Sequence, residues 1–326
     1  MKIKPAVLAA ILVLCLLSTA VALAADPAVE QLRVAGVEQL KAKQYDAAIA
    51  TFTRLIALDP AGPTSYYHRG LAYKYTNDLP AALADFTAAI DRSPEYYPAL
   101  RERGHAYYLS KDYDRALADF DEALRLEPSF VPAYRIRSRI HAYHKNYDLA
   151  LADHDKIIAL APSSDAYLDR AILHYIALRH SDLALADLGE ALRLNPKNLE
   201  AYHLRAHINS DLKNYPQAIA DCSAVLALKP TDAAALVNRS NAYGLLERYA
   251  EAIADAQKAI GLVPKNPAAH MNLAQAYELT GRRDEALAEY RLAAGLFPAA
   301  PAAYGPEREK VKARLEGDWD SHKEWL

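Results

Sequence analysis

The chain has 326 residues, of which 52% are hydrophobic and only 11 are glycine, and its formal net charge is -3. This composition is typical of an ordered helical protein and excludes an intrinsically disordered one. A chain of this charge also lacks the basic field that nucleic-acid-binding proteins need, so we expect no nucleic-acid partner.

Residues 1–25 have the pattern of a secretory signal peptide. Lys2 and Lys4 form a positive start, residues 7–17 are all apolar, and the small residues Ala22 and Ala24 precede a cleavage site at the end of the segment. The apolar run is short for a membrane-spanning helix. We therefore expect an exported, periplasmic protein; the alternative is a membrane-tethered protein that keeps this segment and faces the periplasm.

Prolines recur at a constant 34-residue interval along most of the chain. They are Pro60, Pro94, Pro128, Pro162, Pro196, Pro230, Pro264 and Pro298. A fixed interval of this length predicts tandem copies of one structural unit. If each repeat ends two residues after its proline, the eight repeats begin at residues 29, 63, 97, 131, 165, 199, 233 and 267 and span 29–300.

Two small residues in each repeat predict a close contact between two helices. The twentieth place of the repeat is always alanine: Ala48, Ala82, Ala116, Ala150, Ala184, Ala218, Ala252 and Ala286. The eighth place is small in the other seven repeats and Ala171 is its equivalent in the fifth: Gly36, Gly70, Gly104, Ser138, Ala206, Ser240 and Ala274. In the fifth repeat the first helix is shifted back by one residue, and we expect the extra residue near Arg179 and His180.

Large residues surround this contact at helical spacing. Phe52, Phe86 and Phe120 each follow the invariant alanine by four residues, and tyrosines flank the small place on the other helix. The proline at the end of the repeat cannot continue a helix. Each repeat is therefore predicted to be a helical hairpin.

The 34-residue period, the small residue and alanine pair, the aromatic stripe and the final proline resemble the tetratricopeptide repeat family. The resemblance implies an all-α protein, an α-solenoid in which antiparallel helix pairs stack into a right-handed superhelix with a concave groove. Residues 301–326 are then expected to form a capping helix and tail. Pro306 suits a first helical turn, and Val311, Leu315 and Trp319 recur at helical spacing.

Six repeats, the second to the seventh, carry two charged residues in stripes that should face other helices. One is an arginine just before the small place: Arg69, Arg103, Arg137, Arg170, Arg205 and Arg239. The other is an aspartate three residues after the invariant alanine: Asp85, Asp119, Asp153, Asp187, Asp221 and Asp255. The first and last repeats lack both charges. Because an isolated buried charge is very costly, we expect a structural ladder of arginine–aspartate pairs, within a repeat or between neighbours.

By the same resemblance, the outward side of each first helix lines the groove. In the second to fourth repeats this side is basic and aromatic, with Tyr67, His68, Tyr75, Arg101, His105, Tyr108, Arg135, Arg139 and Tyr143. In the later repeats it is polar and rich in amides, with Tyr175, His203, His207, Asn238, Asn241 and Asn272. We expect no clamp for a partner's C-terminal carboxylate, because Val237 stands where that subgroup of the family has a lysine.

The sequence contains no nucleophile elbow, phosphate-binding loop or metal-ligand cluster, so we expect no catalytic residues, no metal and no cofactor. The resemblance implies a non-catalytic scaffold that binds a peptide or protein partner in the groove, as a component of a cell-envelope assembly. An enzyme or an anion-binding protein that uses the arginines is the further alternative. The partner, the pathway and the oligomeric state stay open at this stage.

Overall fold

The computed structural model describes residues 27–297 and 305–316, and within these ranges the chain is helical, without a β-strand. The predicted signal segment, Pro298 and Trp319 lie outside the described residues. No helix of the described part is long and apolar enough to cross a bilayer.

Each repeat contributes a first and a second helix. The first helices are α1 (Pro27–Lys41), α3 (Pro63–Tyr75), α5 (Tyr97–Leu109), α7 (Val131–Tyr143), α9 (Ser164–Ile172), α11 (Leu199–Asp211), α13 (Ala233–Leu245) and α15 (Pro267–Leu279). The second helices are α2 (Tyr45–Leu58), α4 (Leu79–Arg92), α6 (Tyr113–Leu126), α8 (Tyr147–Leu160), α10 (Ser181–Leu194), α12 (Tyr215–Leu228), α14 (Tyr249–Leu262) and α16 (Arg283–Leu296). A final helix, α17, spans Gly305–Leu315.

The helices belong to two compact units, an N-terminal unit within Met1–Leu160 and a C-terminal unit within Ala161–Leu326. Inside each unit a second helix packs against the first helix of its own repeat and against the first helix of the following repeat. The short turns between paired helices make the two members of a pair antiparallel. This all-α arrangement of tandem helix pairs confirms the predicted fold class.

The small places of the repeat form close contacts between paired helices. The invariant alanines are at most 1% exposed, and Phe52, Phe86 and Phe120 are fully buried. A Cβ added to Gly36 or Gly70 would lie only 2.7 Å or 2.8 Å from the ring of Phe52 or Phe86. Glycine is therefore needed in these repeats because a phenylalanine fills the space opposite it.

The turn inside each hairpin uses one residue in the left-handed region. Seven of these residues carry side chains and have φ between 57° and 64°: Lys43, Asn77, Lys111, Lys145, Arg179, Lys213 and Glu247. Gly281, with φ of 78°, takes the same place in the eighth repeat. These eight positions follow the same 34-residue interval as the prolines, so the turn keeps the register of the repeat throughout.

The extra residue of the fifth repeat lies in a different place from the one we predicted. Arg179 occupies the same left-handed turn position as its counterparts, so nothing is inserted there. Instead, α9 continues into a π-helical turn at Leu173–Ala177, whose wider winding absorbs one residue inside the first helix.

Helix α17 packs against α16 at the end of the C-terminal unit. Val311 joins the core cluster of Tyr290 and Phe297, and Arg314 donates to the Glu278 carboxylate, which also accepts from the Tyr290 hydroxyl. Leu315 is 38% exposed, so Arg314 rather than Leu315 is the buried neighbour of Val311.

Candidate functional site

The repeated charges form six arginine–aspartate rungs, each within one repeat. In every rung the guanidinium Nε and Nη2 donate to the aspartate carboxylate, with distances of 2.5–3.2 Å. The pairs are Arg69–Asp85, Arg103–Asp119, Arg137–Asp153, Arg170–Asp187, Arg205–Asp221 and Arg239–Asp255. The aspartates are 1–7% exposed, and this two-pronged geometry suits the planar fork of arginine.

The third arginine nitrogen, Nη1, reaches the second helix of the preceding repeat in rungs of both units. Arg69 donates to Thr53 at 3.1 Å, and Arg103 donates to Thr87 at 3.2 Å. The same nitrogen reaches Asp121 from Arg137 at 2.6 Å and Ser223 from Arg239 at 2.9 Å. Such a rung joins the two helices of its own repeat and ties them to the repeat before.

The rungs also determine which arginines are available to bind a ligand. Hydrogen bonds from the arginine to its aspartate raise the pKa of Arg69, Arg103 and Arg239 above the ordinary value. Since each of these cations is matched by a buried carboxylate, the rungs carry almost no net charge toward solvent. Nothing in this geometry supports the anion-binding alternative for the six rung arginines.

Aromatic rings are exposed along the first helices of the N-terminal unit. Tyr75 is 57% exposed and stacks on Tyr45, with ring centroids 5.2 Å apart. Tyr143 is 69% exposed and its ring centroid lies 4.9 Å from that of Tyr113, which also contacts Tyr108. Large, stiff and partly polar rings of this kind are good anchors for a partner.

Two of the predicted groove tyrosines are instead buried. Tyr67 is 9% exposed and its hydroxyl accepts from Arg101, while Tyr175 is 6% exposed and its hydroxyl donates to Asp211. Burial raises the pKa of both tyrosines to about 12. Both hydroxyls bond to the first helix of the next repeat. The ring of His68 is stacked on Phe52, which belongs to the second helix of the preceding repeat.

A cavity of about 320 Å³ opens between α3, α5 and α7, and we call it the Arg101 pocket. Its charged wall consists of Lys74, Arg101, Glu102 and His105. Its apolar wall consists of Phe120, Phe130, Pro132, Ala133 and Ile136. Arg101 and His105 were predicted groove residues, whereas Lys74, Glu102 and Phe130 were not.

Glu102 is the centre of the charged wall. It is 8% exposed and accepts from both Lys74 and Arg101, the latter at 2.6 Å. Burial alone would raise the pKa of Glu102, but the two cations hold that pKa below the ordinary value. The Arg101 guanidinium also lies 5.1 Å from the centroid of the Phe130 ring, so it bridges the charged and apolar walls.

Arg135 and Arg139 lie on the same first helix as Ile136 and are exposed. Among the described residues neither makes an ion pair or donates a side-chain hydrogen bond. They differ in this respect from the rung arginines and from Arg101, and they leave α7 with an unbalanced positive charge.

In the C-terminal unit the predicted amide-rich side presents polar side chains. Asn238, Asn241 and His207 are exposed, and the Asn272 amide donates to the Val237 carbonyl at 2.9 Å. Asn241 and Asn272 also line a shallow pocket of about 30 Å³ between α13 and α15. This volume suits a water molecule or a small polar group rather than a large side chain.

His203, the remaining predicted residue of this side, is partly buried beside an acidic group. Its Nε2 lies 3.5 Å from the Asp232 carboxylate. Within the described residues, no group of three or more histidine, cysteine, aspartate or glutamate side chains is arranged to hold a metal ion.

Tandem helix pairs built on one motif, with exposed side chains on the first helices, define a helical repeat protein. Sequence profiles described as Tetratricopeptide repeat match residues 63–96, 97–130, 170–233 and 237–301, and one described as TPR repeat matches residues 39–77. The chain belongs to the tetratricopeptide repeat family. Repeats of this family generally mediate binding to proteins or peptides, and they are typically non-catalytic.

Solved structures of the family share the fold at low sequence identity. The C-terminal part of a TPR repeat-containing protein from Cytophaga hutchinsonii is 18% identical, with a TM-score of 0.64, over 74% of this chain and 99% of that one. A tetratricopeptide repeat protein from Parabacteroides merdae is 19% identical, with a TM-score of 0.51, over 78% and 97%. No curated protein matches the sequence.

Proposed function

We propose that this protein is a non-catalytic scaffold that holds a peptide or protein partner against the first helices of its repeats. The proposal rests mainly on the surface of the N-terminal unit, where exposed tyrosines, two arginines and an open cavity lie along consecutive first helices. Neither arginine has an ion-pair partner within the described part of the chain. The rungs support it as well, because they neutralise the arginines that hold the repeats together and leave those of the surface available.

We further propose that the protein acts in the cell envelope, after export to the periplasm. The signal pattern of residues 1–25 supports this location. The test is the mass of the protein isolated from its native cell: loss of residues 1–25 supports export with cleavage. An intact N terminus in the membrane fraction would instead favour a membrane-tethered scaffold.

The binding function is tested by affinity capture from the native cell envelope with the full chain as bait. A variant that reverses both surface charges, Arg135→Glu with Arg139→Glu, should lose the partner that the wild type retains. The matched control is Arg125→Glu on α6, because Arg125 is an exposed arginine whose ion pair is with Glu122 on the same helix. Equal capture by all three proteins would place the partner elsewhere, and turnover of a substrate by the purified chain would contradict the non-catalytic proposal.

A further inference from the structure

The Arg101 pocket has two walls of different chemistry, and a ligand that fills it has to satisfy both. The apolar wall presents Phe130, Pro132 and Ile136 around a space of about 320 Å³, which lies at the lower end of the volumes of about 300–1,000 Å³ that ligand pockets usually have. A space of this size and lining is suited to a single large apolar side chain rather than to an extended small molecule.

The charged wall keeps a positive excess after its internal pairing. One carboxylate, that of Glu102, is shared by two cations, Lys74 and Arg101. The Nε of Arg101 is buried and has no hydrogen-bond partner among the residues that the structure describes. A buried donor without an acceptor is costly, so this nitrogen favours a ligand that brings an oxygen to it.

The same excess continues along α7 beyond the cavity. This helix contains no acidic residue, and α5 contains only Glu102. Arg137, between the two exposed arginines of α7, is already bonded to Asp153 and Asp121. Arg135 and Arg139 therefore present two uncompensated charges next to the apolar wall.

We propose that the Arg101 pocket and the neighbouring α7 surface bind an acidic segment of a partner protein, which inserts one large apolar side chain between Phe130 and Ile136. The proposal rests on the proposed scaffold function and specifies the partner's chemistry. The acidic side chains of the segment pair with Arg101, Arg135 and Arg139. Basic segments are excluded by repulsion, since unfavourable charge pairing gives specificity at such surfaces.

The test is selection from a random peptide display library with the full chain as target. We expect the enriched peptides to carry an excess of aspartate and glutamate beside one large apolar residue. For a synthetic peptide taken from that set, Arg135→Glu with Arg139→Glu should raise the Kd by at least about tenfold. Added salt should also weaken binding. The control Arg125→Glu should leave the Kd unchanged.

Two further variants separate the parts of the proposal. Ile136→Ala should weaken binding of the acidic peptide and leave the salt dependence of binding unchanged, because Ile136 belongs to the apolar wall and the change removes no charge. Glu102→Gln should lower the Kd of the acidic peptide, because it removes the carboxylate that competes with the peptide for Arg101. The circular dichroism spectrum and melting temperature of each variant establish that it is folded.

The outcomes distinguish this inference from the broader function. The inference would be overturned if the enriched peptides had no acidic excess, or if the charge reversal at Arg135 and Arg139 left the Kd of the peptide unchanged. Either result would still be consistent with a peptide-binding scaffold. Enrichment of no peptide, together with no partner in the affinity capture, would overturn both. Tighter binding of a single-stranded DNA oligonucleotide than of the acidic peptide would show that the surface recognises nucleic acid instead.

Discussion

The rung formed by Arg103 and Asp119 allows a quantitative test of how the repeats are held together. The Asp119 side chain is 7% exposed and that of Arg103 is 19% exposed, and two hydrogen bonds of 2.7 Å and 2.8 Å join them. If Arg103→Met removes the cation, the carboxylate stays buried without its partner, and we expect a loss of about 3–5 kcal/mol in the free energy of unfolding. Asp119→Asn leaves a cation that can still reach water, so we expect a smaller loss of about 1–3 kcal/mol.

The double variant should be far less unstable than the sum of the two single variants. Once both charges are gone no buried charge lacks a partner, so we expect a total loss of about 3–4 kcal/mol and a coupling of about 2–3 kcal/mol. Urea unfolding followed by far-UV circular dichroism measures the losses. Because repeat arrays can unfold in parts, hydrogen exchange of α5 and α6 should report the local effect.

An exposed pair gives the matched control for this cycle. Arg125 and Glu122 lie one helical turn apart on α6, with side chains 63% and 42% exposed. Arg125→Met should cost no more than about 1 kcal/mol, since exposed ion pairs contribute little. Losses at Arg103 and Asp119 that simply add, or that match the control, would refute the view that the rung is a single buried unit.

Three other outcomes follow from the same structure. Gly70→Ala should lower stability by about 1–3 kcal/mol because its Cβ would press on the Phe86 ring, and adding Phe86→Leu should restore part of the loss in a thermal melt. Lys145→Gly should raise the melting temperature, with a gain of up to about 1 kcal/mol, because φ at Lys145 is 61°; Gly281→Ala should do the opposite. Burial lowers the pKa of His68, so the unfolded state takes up the proton first and stability should fall as pH drops below about 6.5. His68→Gln should reduce that slope, and an unchanged pH profile would count against this account.

The repeat made most of the fold predictable from the sequence alone. A fixed 34-residue interval predicts the number of hairpins and the end of each second helix. Because eight copies are in phase, few other assignments of the helices fit the sequence. The contact between Gly70 and Phe86 was also predictable, because a small residue and a large one recur at matching places of the two helices. The prediction from this periodicity was wrong about the extra residue of the fifth repeat, which it located near Arg179. A π-helical turn inside the first helix accommodates that residue, so the turn at Arg179 is unchanged.

The candidate site was less predictable, because its side chains are positioned by neighbouring repeats. Tyr67 lies on the outward side of α3, yet Arg101 of the next first helix covers it. Lys74 and Glu102 are 28 residues apart and belong to different repeats, so no spacing within one repeat identifies them as a pair. The only sequence signal was that Glu102 is the single acidic residue of α5, in a stretch where all other charged residues are basic.

The rungs explain how an array can carry many arginines and still present a selective surface. A rung arginine uses all three of its nitrogens within the array where the preceding repeat offers an acceptor, as Arg137 does with Asp153 and Asp121. A ligand that approached Arg137 would have to displace two carboxylates, one of them almost completely buried. Arg135 and Arg139 flank Arg137 on the same helix but have no such partners in residues 27–297 and 305–316. The same residue type therefore serves structure at one position and recognition at the next. The rung arginines should therefore control stability without changing partner choice, and Arg135 and Arg139 should control partner choice without changing stability.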